Sequence, residues 1–372
     1  YMLPLLLGIL GILYQIFSGK KGTQSFMITL FLFFMTGIAI VLYLNQTPYQ
    51  PRERDYAYAG SFYAFCIWIG LGVGAIARGI EKYAKAPAII AASVATILCL
   101  FIPFQMASQN WDDHDRSGRY VARDFGANYL ESCEKDAIIF TNGDNDTFPL
   151  WYAQEVEGIR TDIRVCNTSY LQTDWYIDQM KRQAYDSDPL PITWTREQYV
   201  QGKRDHAFVI KRMEGPIDLG QALEWVRSDD PRYKRIPNVA QEYDHIPSDK
   251  LVFKVDSAAV MKNHAINPED APLMLKEMTI DLSDRNGLGK EALTILDMLY
   301  TNNWERPMYY AITVDPRQFV KLDNYFQKTG LAYRIVPFNA RAAGSRAIDT
   351  EKMYDNVMNK FKYGGLDKPG VY

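Results

Sequence analysis

Residues 136–168 read DAIIFTNGDNDTFPLWYAQEVEGIRTDIRVCNT, and this stretch sets the fold of the larger part of the chain. The run from Asp136 to Thr141 is short and apolar, as a buried strand requires. A turn-rich loop, Asn142 to Thr147, follows it. The spacing then predicts a helix over Phe148 to Gly158 with Leu150, Trp151, Ala153 and Val156 as its apolar residues. Arg164 to Thr168 reads as a second strand, and a further helix runs from Tyr170 or Thr173 to Arg182. Strand, helix and strand in this order form a βαβ unit, which favours a parallel sheet with a right-handed crossover.

Ligands of such sheets bind beyond the carboxyl ends of the strands, and the loop Gly143-Asp144-Asn145-Asp146-Thr147 falls there. Two accounts of this loop stand side by side. Gly143 permits a positive φ, and Asp146 or Thr147 suits a helix cap. Alternatively Asp144, Asn145 and Asp146 hold sugar hydroxyls or a cation. The loop lacks both the glycine-rich phosphate pattern and the twelve-residue calcium-loop spacing.

Outward from this unit, residues 107–135 are expected to form a helix leaving a membrane, with Asp112, Asp113, His114 and Asp115 as solvated charges and helix N-caps. Residues 183–250 are polar and proline-dotted and read as a loop-rich insertion anchored by Trp194, Tyr199, Trp225 and Tyr233. Strands are expected at Leu251–Val255, within Leu273–Leu282, at Met308–Thr313 and at Leu331–Pro337. Helices are expected over Gly287–Tyr300, with Leu293, Leu296, Leu299 and Tyr300 inward, and over Leu322–Gln327. The second passage would continue the sheet begun at residue 136.

The first 106 residues are of another kind. They carry seven Lys/Arg against three Asp/Glu, whereas residues 107–372 carry 34 against 41. The mean hydropathy of −0.23 averages two unlike parts. Four apolar runs, Met2–Phe17, Phe26–Leu44, Phe62–Ala77 and Pro87–Phe104, are candidate membrane helices. A helix needs roughly 20 residues to cross the hydrocarbon core. Gly70, Gly72, Gly74 and Gly79 in the third run suit close helix packing. The expected architecture is therefore about four transmembrane α-helices (1–106), then a soluble α/β domain with a largely parallel or mixed sheet (107–372).

Lys20 and Lys21 follow the first run, and Arg78, Lys82 and Lys85 follow the third, so both loops belong inside by the positive-inside rule. The loop at 45–60 and the soluble part then share the outer side. That loop holds Arg52, Glu53, Arg54 and Asp55 between apolar runs. Arginine forms forked bonds to phosphate oxygens, so the quartet is a candidate anion site as well as a candidate solvated turn. Elsewhere no nucleophile elbow, HExxH or CxxC occurs, and no nucleic-acid-binding signal appears. His114, His206, His245 and His264 are scattered and expected at the surface. Cys133 and Cys166 read as buried thiols or a cross-strand pair.

The stretches QTPYQPRERDYAYAGSFY, NWDDHDRSGRY, IIFTNGDNDTFPLWYAQEVEGIRTDIRV, TDWYIDQMKR, TNNWERPMYYAIT and GLAYRIVPF together resemble a large bacterial membrane family grouped with protein O-mannosyltransferases. The resemblance implies a multi-span glycosyltransferase of the GT-C type in the bacterial inner membrane, with its C-terminal domain in the periplasm. Such enzymes transfer a sugar, typically mannose, from a polyprenyl-phosphate carrier to Ser or Thr of exported proteins. On that basis Arg52 and Arg54, with Glu53 and Asp55, are expected to meet the donor phosphate. Asp144, Asn145 and Asp146 are expected to meet the acceptor protein or glycan. The resemblance places the catalytic acid upstream of Tyr1 and calls for neither a metal nor a cofactor. The other reading is a membrane-anchored binding or scaffolding protein without catalysis.

Overall fold

A computed structural model describes residues 2–46, 54–237 and 239–365. The chain divides into two compact units, Tyr1–Ser117 and Gly118–Tyr372.

In the first unit the helices are α1 (Leu3–Ile16), α2 (Gly19–Thr36), α3 (Ile38–Leu44), α4 (Ala59–Ala84) and α5 (Ala88–His114). Among the described residues, three helical stretches are long and apolar enough to cross a membrane: Gly19–Leu44, Asp55–Ala84 and Ala88–His114. All four apolar runs are helical, but α1, at 14 residues, rises about 21 Å and falls short of a full crossing. The outward-facing side chains are apolar, among them Ile28, Leu42, Ile89 and Leu98, while Gln15, Thr29 and Ser61 are buried. This distribution inverts that of a water-soluble bundle and suits lipid as the solvent. Each of these buried polar groups has a partner, as a medium without water requires: Thr29 and Ser61 donate to the carbonyls of Ser25 and Tyr58. The Trp68 indole N–H donates to Gln15 Oε1 at 2.9 Å, and Gln15 Nε2 donates to Ser25 Oγ at 2.9 Å.

Helices α1 and α4 touch backbone to backbone. A Cβ on Gly72 would stand 2.2 Å from the Leu7 carbonyl oxygen, whereas one on Gly70, Gly74 or Gly79 would meet nothing. Of the four glycines expected at a packing face, only Gly72 therefore serves one. Gly70 and Gly74 point elsewhere because a 3.6-residue turn carries residues two apart to different faces.

The expected helix over 107–135 is two helices. α5 runs to His114, and α6 spans Val121–Glu131. Asp115 Oδ1 accepts the Ser117 N–H at 2.8 Å, and Gly118 takes φ +76°, which breaks the helix. The acidic cluster at 112–115 thus closes a helix at its carboxyl end and caps no N-terminus.

The second unit is built on a five-stranded mixed sheet. Its strands are β1 (Ile138–Thr141), β2 (Arg164–Asn167), β9 (Met308–Ala311), β10 (Phe326–Lys328) and β11 (Ala332–Ile335), where β3 (His206–Val209), β4 (Ile217–Asp218), β5 (His245–Ile246), β6 (Lys250–Lys254), β7 (Glu277–Asp281) and β8 (Gly287–Gly289) form two smaller sheets. The order in the large sheet is β10-β11-β9-β1-β2. β1 pairs in parallel with β2 and with β9, Ile138 lying opposite Arg164 and Met308. The hairpin β10–β11 adds antiparallel strands beside β9. Every residue of β1, β2 and β9 is buried, as expected of parallel strands covered on both faces. The helix expected over Leu322–Gln327 is only a short 3-10 turn, Asp323–Tyr325, because Phe326 is drawn into the hairpin.

Helix α7 (Asp144–Glu155) makes the crossover from β1 to β2, and α8 (Asp174–Met180) follows β2. In α7 Leu150 and Ala153 are buried, but Trp151 is only half-buried and Val156, at the C-cap, is exposed. The insertion at 183–250 is ordered by a clamp on the buried helix Lys290–Asn302. Asp297 of that helix accepts from the Thr193 N–H at 2.7 Å and from Thr193 Oγ1 at 2.8 Å, and it pairs with Arg227. Tyr300 of the same helix lies at the rim and is exposed, its ring against Gly220. His245 is fully buried, contrary to expectation. Its Nδ1 lies 3.0 Å from the Tyr243 carbonyl oxygen, and burial lowers its pKa. Cys133 and Cys166 are buried free thiols.

The glycine contact gives a paired test. Gly72→Val is expected to lower stability by about 1–3 kcal/mol through overpacking. Gly70→Val, in open space, should leave the thermal midpoint in detergent unchanged. Equal midpoints for the two variants would refute the contact.

Candidate functional site

The carboxyl ends of β1 and β2 open into loops that are tied to each other. Thr147 Oγ1 lies 2.8 Å from Thr141 Oγ1, donates to the Gly143 carbonyl at 2.8 Å, and accepts from Asn167 Nδ2 at 2.8 Å. Asn167 Oδ1 in turn accepts the N–H groups of Ser169 and Tyr170 at 2.9 and 3.2 Å. Asn142 Oδ1 accepts from Thr168 Oγ1 at 3.2 Å and from Ser169 Oγ at 2.6 Å. The N-cap of α7 is Gly143 at φ +77°, and no side chain caps it. Asp146 and Thr147, the expected caps, lie inside the helix. Asp144 and Asp146 occupy its first turn, where negative charge complements the helix dipole.

The three candidate acceptor residues do not converge on one point. Asp144 is exposed, and its Oδ1 accepts from the Tyr170 hydroxyl at 3.3 Å, on the β2 side. Partial desolvation and the Asp144 charge push the Tyr170 phenol up. Asn145 is exposed. Asp146 is buried and acts electrostatically on the Tyr129 phenol, which lies 2.8 Å from Thr313 Oγ1 just beyond β9. Burial, with a smaller contribution from Asp146, pushes Tyr129 up to about 12. Among the described residues no side chain or backbone N–H outside its helix donates to the Asp146 carboxylate. Asp144 and Asp146 thus flank the end of β1, the strand with β2 on one side and β9 on the other. A crevice at such a reversal of strand order is where open α/β sheets bind ligands.

Beside these loops runs an aromatic surface that the sequence pattern had assigned in part to the core. Phe148 and Trp151 stack at 5.6 Å with planes at 24°, and Trp151 stacks on Tyr170 at 6.2 Å and 25°. Trp175 extends the series, 5.9 Å from Tyr170. Phe148 and Trp175 are exposed by 47% and 53%, too much for a core role. Phe148 and Trp151 share a helix face at i, i+3, the one signal in the sequence that gave them away. Exposed contiguous aromatics mark contact surfaces, and flat rings beside carboxylates and an amide suit a ligand with an apolar face and hydroxyl edges.

For the membrane loop, Arg52 and Glu53 lie outside the described residues. Arg54 is exposed and makes no ion pair with a described residue. Asp55 opens a 3-10 turn, its Oδ1 accepting the Tyr56 N–H at 3.1 Å. Among the described residues no three His, Cys, Asp or Glu side chains gather as a metal site.

Asn167 is fully buried and serves both loops. Asn167→Ala is expected to cost about 2–3 kcal/mol by orphaning two N–H groups and removing one of the bonds to Thr147. Faster hydrogen exchange at Ser169 and Tyr170 than elsewhere in the sheet would report it, and uniform exchange would contradict it.

No solved structure matches the chain. Among curated proteins, the mouse Protein O-mannosyl-transferase TMEM260 is 32% identical over 83 residues, which cover 22% of this chain and 12% of that protein. A family model described as TMEM260-associated domain 2 matches residues 122–352, the region that carries the mixed sheet, the paired loops and the aromatic surface. The chain belongs to the TMEM260-associated domain 2 family.

Proposed function

We propose that this chain is part of a membrane glycosyltransferase that transfers a sugar, mannose in the first instance, from a polyprenyl-phosphate donor to Ser or Thr of exported proteins. In this reading the second unit holds the acceptor peptide or its glycan. The observation that carries it is the aromatic surface Phe148-Trp151-Tyr170-Trp175 beside Asp144, Asn145 and Asp146. Stacked rings cover the apolar face of a sugar, and carboxylates accept from its hydroxyls. Asp146 has lone pairs to offer, because no neighbouring donor uses them. Family membership and the name of the mouse relative support the reaction class.

The donor belongs to the membrane unit. Arg52 and Arg54, with Glu53 and Asp55, are assigned to the phosphate of the lipid-linked donor, since a guanidinium offsets leaving-group charge. A carboxylate base acting on the acceptor hydroxyl completes the chemistry. The charge pattern of Lys20, Lys21, Arg78, Lys82 and Lys85 supports an inner-membrane protein whose second unit faces the periplasm.

Two measurements test this. With the complete protein in nanodiscs, Asp144→Ala and Trp175→Ala are each expected to weaken calorimetric binding of a mannosylated Ser/Thr peptide about tenfold, or about 1.4 kcal/mol. Their thermal midpoints should not move. A lowered midpoint with unchanged affinity would reduce the loop to a structural turn. In transfer of labelled mannose from polyprenyl phosphate, Arg54→Ala should lose at least about tenfold in rate. Binding without any transfer by the wild type would make the protein a scaffold.

A further inference from the structure

A second cleft lies along the outer edge of β2, and its chemistry differs from that of the aromatic surface. β2 is an edge strand with no neighbour on that side. Side chains stand in for the missing strand. The Tyr176 hydroxyl accepts the Asn167 N–H at 2.9 Å and donates to the Val165 carbonyl at 3.5 Å. Gln154 Nε2 donates to the Ile163 carbonyl at 2.8 Å. Beside them opens a cleft of about 420 Å³, with Trp151 and Tyr176 among its walls and Arg164, Arg182, Gln183 and Glu155 as polar lining. That volume is in the range of small-molecule sites.

Arg164 opens β2 and is 5% exposed. Its Nη2 donates to the carbonyls of Gln179 and Arg182, both at 2.8 Å, and so closes the carboxyl end of α8. Its Nε and Nη1 are buried and have no partner. No carboxylate acts on it. The ionisable groups that favour its charge are Cys166 and Tyr176, which burial keeps neutral, and Arg306 opposes it. Buried guanidinium groups are ordinarily paired with an anion. At the mouth, Arg182 is exposed and makes no ion pair with a described residue. Glu155, the carboxylate in the lining, is engaged by the Tyr185 hydroxyl. The cleft therefore holds two cations, neither of them in an ion pair, and a single acid that already has a partner.

We propose that this cleft binds a small ligand bearing an oxyanion, a phosphate monoester or a carboxylate, which lodges on the free N–H groups of Arg164 with Arg182 at the entrance and the ligand body against Trp151 and Tyr176. The guanidinium fork matches two oxygens of either group. This site shares Trp151 as a wall with the aromatic surface, but it stands independently of the transferase reading, since it rests on Arg164 and Arg182 and on a different ligand charge.

The test is calorimetry on the full chain in nanodiscs at low ionic strength, with glucose 6-phosphate, glucuronate, inorganic phosphate and glucose as probes. Saturable binding of an oxyanion, without binding of glucose, is expected. Preference for glucose 6-phosphate or for glucuronate identifies the group. Arg182→Ala, at an exposed position, should weaken that binding several-fold with the thermal midpoint unchanged. Arg164→Lys, which keeps the charge and loses the fork, should weaken it at least tenfold. If Arg164→Lys unfolds the unit, the Arg182→Ala result and the loss of affinity with added salt decide the matter. No saturable oxyanion binding would overturn the proposal. So would equal affinity for glucose, or an affinity that neither Arg182→Ala nor salt changes.

Discussion

The hydrogen bond from Asn167 to Thr147 holds together everything that matters at the carboxyl end of the sheet. It joins the end of β2 to the first turn of α7, and through Thr141 it reaches the end of β1. An amide can do this because one face donates while the other accepts two backbone N–H groups. Buried where no water competes, such a network is strong when complete and costly when broken. The loops after β1 and β2 consequently form one rigid rim, and the aromatic rings of α7 and of the loop after β2 stack on each other because that rim fixes their spacing.

The same economy of partners recurs elsewhere in the second unit. Tyr176 takes the place of a neighbouring strand at the edge of β2, and Asp297 ties a proline-rich insertion to a buried helix. Where a partner is missing, the omission is informative. Asp146 and Arg164 are buried ionisable side chains of opposite sign, one accepting nothing from a neighbouring described side chain and the other left with two unpartnered nitrogens. One lies in the first turn of α7 and the other opens β2, and each leads to a distinct ligand chemistry, hydroxyls in one case and an oxyanion in the other. The membrane unit obeys the same accounting under a different solvent. Gln15 and Trp68 are bonded to each other inside, and the apolar side chains face out.

Strands β1 and β2, helix α7 and the apolar runs were legible in the sequence, because each is specified by residues close together in the chain. A continuous apolar stretch or a periodic one carries its own signal. Features set by distant partners were not legible. Phe326 joins a hairpin instead of a helix because β11 pairs with it. His245 is buried beneath neighbours brought from elsewhere in the insertion, and Trp151 stays half-buried at the edge of the core, where it stacks on Tyr170. Only Gly72, among four similar glycines, meets another helix.

For the candidate site, the sequence by itself determined that a polar loop rich in carboxylates would stand at the carboxyl end of a buried parallel strand. Tertiary structure alone decided what each residue of that loop does. Successive residues of a helix diverge by about 100°, so Asp144 turns to Tyr170 and Asn145 to solvent, while Asp146 is buried and its charge acts on Tyr129. No spacing rule could have related Asp146 to a tyrosine of α6. That relation is set by the tertiary fold, a property of the whole chain.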